Sequence, residues 1–240
     1  ILHVLKNQNI DCDYLVGAQL DGFETMVKLS DAPLIVLEGD EYLSSPIDKR
    51  PKFHLYKPHI AVISGIAWDH VNVFPTFENY VDQFRIFKNT VSEQLIYCNE
   101  DHELNKLMFE KTKCETIKYG TPAHKIINGV TSIDNCDLKI FGRHNLQNLN
   151  AAMLVCMQLG IDKKSFLNDM KSFKGASNRL ELIHNEKDFS VYKDFAHSPS
   201  KLKATTLALK KQFPNRQLVA CMELHTFSSL NKNFLVEYKD

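Results

Sequence analysis

Short apolar runs and amphipathic segments alternate along this chain of 240 residues. Apolar runs near residues 34–38, 60–66, 94–98 and 115–119 have the composition and length of buried strands. After Thr76, a suitable helix N-cap, apolar side chains recur at three- and four-residue steps, which predicts an amphipathic helix. This alternation is typical of βαβ units. We therefore expect an α/β fold with a mainly parallel sheet flanked by helices.

The second half of the chain has a different pattern of predicted elements. Residues 120–141 read as turns and short antiparallel strands, and a helix is expected from about Asn145 to Leu159, ended by Gly160. After a linker at 174–178, the pattern predicts a hairpin, a helix behind Ser198 and a strand at 218–222. We expect residues 1–173 to form one domain and residues 174–240 to be part of a second α/β domain.

Composition excludes several classes of partner. Lys plus Arg number 29, and Asp plus Glu also number 29. The chain therefore has no net charge that would attract nucleic acid or a membrane surface. No apolar run approaches the roughly 18 residues that a membrane span requires. The six cysteines contain no Cys-x-x-Cys pair and several lie in apolar patterns, which is typical of reduced thiols in a cytoplasmic protein.

Two predicted strands end in groups that can bind a metal ion. Glu38 follows the run at 34–37 and opens an acidic cluster, and Asp69-His70 follows the run at 60–66. The acidic cluster at Glu38 could instead be a solvated turn, and His70 could be a histidine with a purely structural role. However, ligands of open α/β sheets bind outside the carboxyl ends of the strands. The pair therefore favours a shared site for a divalent cation.

Three further polar clusters lie at element boundaries, where functional residues concentrate. Asn145 and Asn148 would face the same way from the first turn of their helix, and such amides can pair with the edge of adenine. An N-cap role is the alternative for Asn145. Arg179 follows the linker, and Asp194 and His197 follow the hairpin. Without a functional role, Arg179 would be an ordinary surface cation. Asp194 and His197 would belong to a loop that caps the following helix.

Taken together, these segments resemble the Mur ligases in order and approximate spacing. The segments are Glu38-Gly39-Asp40-Glu41-Tyr42, Trp68-Asp69-His70, Gly142-Arg143-His144-Asn145-Leu146-Gln147-Asn148, Arg179-Leu180-Glu181 and Asp194-Phe195-Ala196-His197-Ser198-Pro199. The resemblance implies a central ATP-binding domain over 1–173 and part of a Rossmann-like C-terminal domain over 174–240. It also implies an ATP-dependent ligase that forms an amide bond through an acyl phosphate.

The resemblance assigns roles to individual residues. Glu38 and His70 would be Mg²⁺ ligands, and Asn145 and Asn148 would hold the adenine of ATP. Arg179 and Asp194 would meet nucleotide phosphate and ribose, and His197 would be a catalytic residue near the phosphates. Within the family, residues 41–58 most resemble members of murein recycling that join UDP-N-acetylmuramate to a murein tripeptide. Members that add L-alanine to UDP-N-acetylmuramate in de novo synthesis are the second choice.

The sequence departs from the family pattern at two places. None of its nine glycines is followed by Lys, so it contains no Gly-Lys-Ser/Thr phosphate-binding loop. We expect that loop to precede the helix at Ile1, and these 240 residues by themselves not to complete the reaction. In addition, Lys193 and Ser198 stand where a second acid and a second histidine are common in the family.

Two other functions fit part of the pattern. A metal-dependent phosphohydrolase could use the acids and histidines Glu38, Asp69, His70, Asp194 and His197, but it leaves the paired asparagines without a role. A noncatalytic binding module is the other alternative.

Overall fold

The structure is a computed structural model that describes residues 1–17, 22–68, 73–224, 230, 235 and 238. The helices are α1 Leu2–Asn7, α2 Phe53–Tyr56, α3 Phe77–Lys88, α4 His102–Phe109, α5 Arg143–Gln158, α6 Lys163–Met170 and α7 Pro199–Gln212. The strands are β1 Asp13–Leu15, β2 Val27–Lys28, β3 Ile35–Leu37, β4 Ile60–Ile63, β5 Gln94–Cys98, β6 Glu115–Tyr119, β7 Lys125–Ile127, β8 Val130–Ile133, β9 Cys136–Leu138, β10 Glu181–Asn185 and β11 Ser190–Lys193. The predicted α/β class is confirmed.

These elements belong to two compact units. Unit 1 comprises Ile1–Gly17, Met26–Pro122 and Gln147–Phe166, and unit 2 comprises Ala18–Thr25, Ala123–Leu146 and Leu167–Asp240. Each unit thus combines segments that are distant in sequence, and helix α5 contributes to both. The domain limits 1–173 and 174–240 stay a prediction.

Unit 1 contains a parallel three-stranded sheet in the order β4-β5-β6. Its register aligns Val62 with Ile96 and Ile96 with Ile117, so apolar side chains lie side by side across the sheet. On the central strand β5, both Leu95 and its neighbour Ile96 are fully buried. Since successive side chains point to opposite faces, β5 is buried on both faces, which accounts for its continuous apolar run.

Helix α3 packs into the core of this sheet. The Oγ1 of Thr76 accepts a hydrogen bond from the backbone N–H of Asn79 at 3.2 Å, which confirms the predicted N-cap. The α3 residues buried in the common core are Tyr80, Phe84 and Phe87. The predicted apolar stripe of this helix is therefore core packing.

A second sheet of unit 1 has the order β2-β1-β3, with β1 parallel to β3 and antiparallel to β2. The sequence predicted β3, which lies in the apolar run 34–37, but not β1 or β2, which lie in no apolar run of that length. In the described part of the chain, β3 pairs with β1 and β4 pairs with β5, in separate sheets. The strands at 34–38 and 60–66 were expected to end at the same edge of one sheet. In the described residues, backbone pairing does not join them into one sheet.

Unit 2 contains the antiparallel sheet β7-β8-β9 and the hairpin β10-β11. Both agree with the antiparallel strands and the hairpin expected from the sequence. Its small hydrophobic core is formed by Phe141, Leu180 and Ala208, with Tyr192, Leu209 and Phe213 packed against them. Helix α7 and the hairpin are thus held together by few apolar side chains.

The strand predicted at 218–222 is not formed. Val219 is 81% exposed, and no strand of the described chain pairs with this segment. An apolar, β-branched run becomes a strand only where a neighbour satisfies its backbone N–H and C=O groups, which local composition cannot supply.

The cysteines are free thiols, as expected from their spacing, and Cys12, Cys98, Cys136 and Cys156 are buried. Burial raises the pKa of the Cys98 thiol, which keeps it protonated at neutral pH. Within the described ranges, no helix has both the length and the apolar character needed to cross a lipid bilayer.

Candidate functional site

Glu38 lies at the carboxyl end of the parallel pair β1 and β3. Its backbone N–H donates to the carbonyl oxygen of Leu15 at 2.8 Å, which extends the ladder by one residue. Its Oε2 accepts a hydrogen bond from the backbone N–H of Gly17 at 2.6 Å. The residue is exposed, so its oriented carboxylate can be reached from solvent. Because Mg²⁺ prefers oxygen ligands, Glu38 fits one position of a magnesium site.

The other predicted metal ligand, His70, lies outside the described residues, as does Asp69. The approach of Glu38 and His70 to a common ion therefore stays a prediction. Among the residues that the structure describes, no group of three or more His, Cys, Asp and Glu side chains is arranged to hold a metal ion.

The segment that leads from β4 toward His70 starts from an anchored position. The Oδ2 of Asp101 accepts a hydrogen bond from the backbone N–H of Ile66 at 3.2 Å, and its Oδ1 caps α4 by accepting from Leu104 N–H at 2.7 Å. A Cβ at Gly65 would lie 3.0 Å from Asp101 Oδ2, so a side chain there would crowd the carboxylate. Asp101 therefore ties the exit of β4 to the start of α4.

Asn145 and Asn148 lie in the first turns of α5, three positions apart on one side of the helix. The helix begins at Arg143, two residues earlier than predicted, because the chain turns into it at Gly142, whose φ is 87°. Asn145 is therefore inside the helix and is not its N-cap. Its Nδ2 donates to the carbonyl oxygen of Phe141 at 3.0 Å. Asn148 is exposed.

In unit 2, the carboxylate of Asp194 joins two elements. Its Oδ1 accepts a hydrogen bond from the backbone N–H of Leu180 at 3.0 Å, and its Oδ2 accepts one from Thr205 Oγ1 of α7 at 2.5 Å. Leu180 has a φ of 47°, which is costly for a branched side chain. The charged acceptor helps to hold the chain in this conformation, directly after Arg179.

The ring of Phe195 brings Arg179 and His197 together. The Arg179 guanidinium lies over this ring, 5.5 Å from its centroid, and the His197 ring meets it edge-on with centroids 4.8 Å apart. His197 Nδ1 lies 3.0 Å from the Phe195 carbonyl oxygen, and because a carbonyl oxygen can only accept, Nδ1 is the donor of this hydrogen bond. The sequence motif contains Phe195, but the sequence alone assigned it no role.

His144, beside the predicted adenine residues, is a partly buried histidine of unit 2. Burial lowers the pKa of this imidazole, and the Asp194 carboxylate partly offsets the shift. The ring is therefore neutral at neutral pH and adds no positive charge to the start of α5.

Comparison with known proteins gives a family and several relatives. The model of the Mur ligase middle domain matches residues 23–156. The UDP-N-acetylmuramate–L-alanine ligase of Clostridium tetani is 27% identical over an alignment of 245 positions, which covers 94% of this chain and 52% of the relative. The chain thus spans about half the length of the curated relatives that it matches.

Solved structures of related ligases share the fold. The UDP-N-acetylmuramate:L-alanyl-γ-D-glutamyl-meso-diaminopimelate ligase of Neisseria meningitides superposes with a TM-score of 0.63 at 22% identity, covering 72% of this chain and 60% of its own. The MurF ligase of Thermotoga maritima, solved in complex with ADP, superposes with a TM-score of 0.64 at 19% identity, covering 86% of this chain and 52% of its own.

Proposed function

Because this chain belongs to the Mur ligase family, we propose that the protein forms an amide bond on UDP-N-acetylmuramate at the expense of ATP. The observation that carries the proposal is the middle-domain match over residues 23–156, which is more than half of the chain. The parallel sheet and the polar groups at the carboxyl ends of its strands support it, since such edges are the usual ligand sites of α/β proteins.

In the proposed reaction, a carboxylate oxygen of UDP-N-acetylmuramate attacks the γ-phosphorus of ATP, and ADP leaves as its bond to that phosphorus breaks. The amine of the second substrate then attacks the acyl phosphate. The amide C–N bond forms, the C–O bond to phosphate breaks, and phosphate and a proton are released. Phosphorylation is needed because a free carboxylate is a poor acyl donor.

The nucleotide roles proposed for this chain agree with the accessibility of the residues. Asn145 and Asn148 would hold adenine, and Asn148 is exposed at the start of α5. Arg179 would meet phosphate with His197 nearby, and the two side chains meet at one ring. Asp194 would contact ribose. Its two existing hydrogen bonds leave room for a hydroxyl, since a carboxylate offers about four acceptor positions.

We propose Glu38 and His70 as the residues that hold Mg²⁺. When bound there, the ion would neutralise negative charge on the phosphate oxygens during transfer. The oriented, exposed carboxylate of Glu38 supports its part of this assignment.

For the amine substrate, we propose a murein tripeptide, with L-alanine as the alternative. The support is the sequence of residues 41–58, which resembles tripeptide-adding members of the family. In the structure this stretch is held by the pairs Lys52–Asp40, at 2.6 Å, and Arg50–Asp48, also at 2.6 Å. It borders a cavity of about 460 Å³ lined by Tyr42, Leu43, Lys49, Val73, Phe74, Asn79 and Gln83.

The proposal is tested with the full-length protein, ATP, Mg²⁺ and UDP-N-acetylmuramate, supplied with either the tripeptide L-alanyl-γ-D-glutamyl-meso-diaminopimelate or L-alanine. Phosphate release and the mass of the product are measured. We expect kcat/KM to be at least about tenfold higher with the tripeptide, because a site built for a large polar amine loses contacts with a small one. A preference for L-alanine would establish the alternative, and no product with either amine would refute the ligase function.

A second prediction concerns adenine. Replacing Asn148 by Ala is expected to raise the KM for ATP by about 5- to 150-fold, which corresponds to the 1–3 kcal/mol of a bidentate amide–adenine pair. The KM for UDP-N-acetylmuramate should change by less than about twofold, since a contact to one substrate alone is lost. Steady-state kinetics with each substrate varied in turn would check this. Asn168→Ala makes the same change on the exposed side of α6 and should alter neither KM. Equal effects of Asn148→Ala on both KM values would refute the adenine role.

A further inference from the structure

Glu100 is the centre of a polar cluster at the carboxyl ends of β5 and β6. Its Oε1 accepts a hydrogen bond from the backbone N–H of Thr121, and its Oε2 accepts one from Thr121 Oγ1 at 3.0 Å. The same Oε2 accepts a hydrogen bond from Gln147 Nε2 of α5, also at 3.0 Å. One carboxylate thus joins the turn after β5, the turn after β6 and the second turn of α5, all within unit 1.

A second hydrogen bond attaches α5 to the same turn. Asn150 Nδ2 donates to the carbonyl oxygen of Gly120 at 2.8 Å. Gln147 and Asn150 are three residues apart and therefore lie on one face of the helix. Two attachment points on one face set the rotation of α5 about its own axis. They consequently set the direction in which Asn148, between them in sequence, presents its side chain.

The turn after β6 is shaped to let Glu100 approach. A Cβ on Gly120 would collide with the Glu100 carboxylate and would lie 3.1 Å from Asn99 Oδ1. A side chain at position 120 would therefore have to displace the end of the Glu100 side chain. The lack of a side chain at Gly120 thus leaves room for the Glu100 carboxylate beside this turn.

We propose that Glu100 is a positioning residue for nucleotide binding, which acts through Gln147 and α5 to orient Asn148 toward adenine. This rests on the proposed function, because it presumes that Asn148 binds ATP. Glu100 itself contacts the protein and not the nucleotide. A carboxylate suits this role because it accepts the hydrogen bonds of all three donors, whereas an amide offers one acceptor oxygen and presents N–H groups to the remaining donors.

The experiment measures ATP binding to the full-length protein by isothermal titration calorimetry. Glu100→Gln is expected to raise the Kd for ATP by roughly five- to tenfold, which is in the range for the net contribution of one ordinary hydrogen bond. Glu93→Gln is the matched control, because it makes the same charge change at the exposed amino end of the same strand β5. It should leave the Kd unchanged. Gln147→Ala removes only the helix side of the link and should reproduce the effect, even where Glu100→Gln impairs folding.

A double-mutant cycle separates positioning from general stabilisation. If Glu100 acts through Asn148, the variant Glu100→Gln/Asn148→Ala should bind ATP no more weakly than Asn148→Ala alone. Independent contributions would instead multiply the two Kd ratios, and that result would overturn the inference. An unchanged Kd in both Glu100→Gln and Gln147→Ala, beside a weakened Asn148→Ala, would also overturn it while leaving the ligase proposal intact. A wild-type protein that does not bind ATP would instead refute the proposed function itself, and the inference with it.

Discussion

Replacing Lys88 by Ala is expected to lower the free energy of unfolding by about 2–5 kcal/mol, the range for truncating a large buried side chain to Ala. Lys88 is the last residue of α3, and its side chain is only 1% exposed. Its Nζ donates to the carbonyl oxygen of Leu107 at 3.0 Å and lies 3.3 Å from Glu110 Oε2. The ammonium group thus caps the carboxyl end of α4, where the helix dipole favours a cation. The substitution leaves a cavity and a buried carbonyl group without its donor.

Urea unfolding followed by circular dichroism would measure this effect. Lys106→Ala is the control, since that lysine is 58% exposed and pairs with Glu103 on the surface of α4. Surface ion pairs contribute about 0–1 kcal/mol, so the control should change stability little. Lys88→Met keeps most of the apolar volume, and we expect a loss between those of the other two variants. A loss below about 1 kcal/mol for Lys88→Ala would contradict the capping role.

Replacing Glu38 by Gln is expected to lower kcat of the full-length protein by at least about 100-fold at a fixed low Mg²⁺ concentration, since metal-ion stabilisation of phosphoryl transfer amounts to several kcal/mol. Glutamine has the same size and keeps an oxygen that can accept the Gly17 N–H, so the end of β3 should retain its structure. What is lost is the negative charge that would attract the cation. Initial rates measured over a series of Mg²⁺ concentrations should show activation shifted to higher concentration.

A matched control for Glu38 is Asp31→Asn, which removes a carboxylate charge from an exposed position ahead of the same strand β3. It should leave both kcat and the Mg²⁺ dependence unchanged. If the two variants had equal effects, the loss would reflect the general charge of this region, and Glu38 would have no specific part in binding the ion.

The local elements of the fold could be predicted where they are long and periodic. The strands at 94–98 and 115–119 have the predicted limits, and α3 begins at its predicted N-cap. These features depend on neighbours in sequence, namely an apolar run or a capping side chain beside its own helix. Strands β1 and β2 were not predicted because neither lies in an apolar run as long as the one at 34–37 that contains β3. The segment 218–222 shows the opposite error: a strand was predicted from its composition, but no described strand pairs with it and the strand is not formed.

The candidate site could be predicted only in part, for a related reason. Asn145 and Asn148 were recognised because they are close in sequence on one helix. Glu100 and Gln147 are separated by 47 positions, and nothing in either local sequence indicates that they meet. Nothing in the local sequence around Lys88, at the end of α3, indicates that its side chain is buried against α4. Phe195 stood in a recognised motif without a role until its ring was found between Arg179 and His197.

The amino-acid sequence by itself determined the order of strands and helices, the residue types available at their ends and the likeness to one ligase family. These properties follow from periodicity and from short segments, so they can be recognised without coordinates. Only the tertiary structure decided which polar groups face each other: Glu38 with Gly17, Asp194 with Leu180 and Thr205, and Glu100 with Thr121 and Gln147. Such pairs depend on strand register and on helix rotation, which are set by packing between distant segments of the chain.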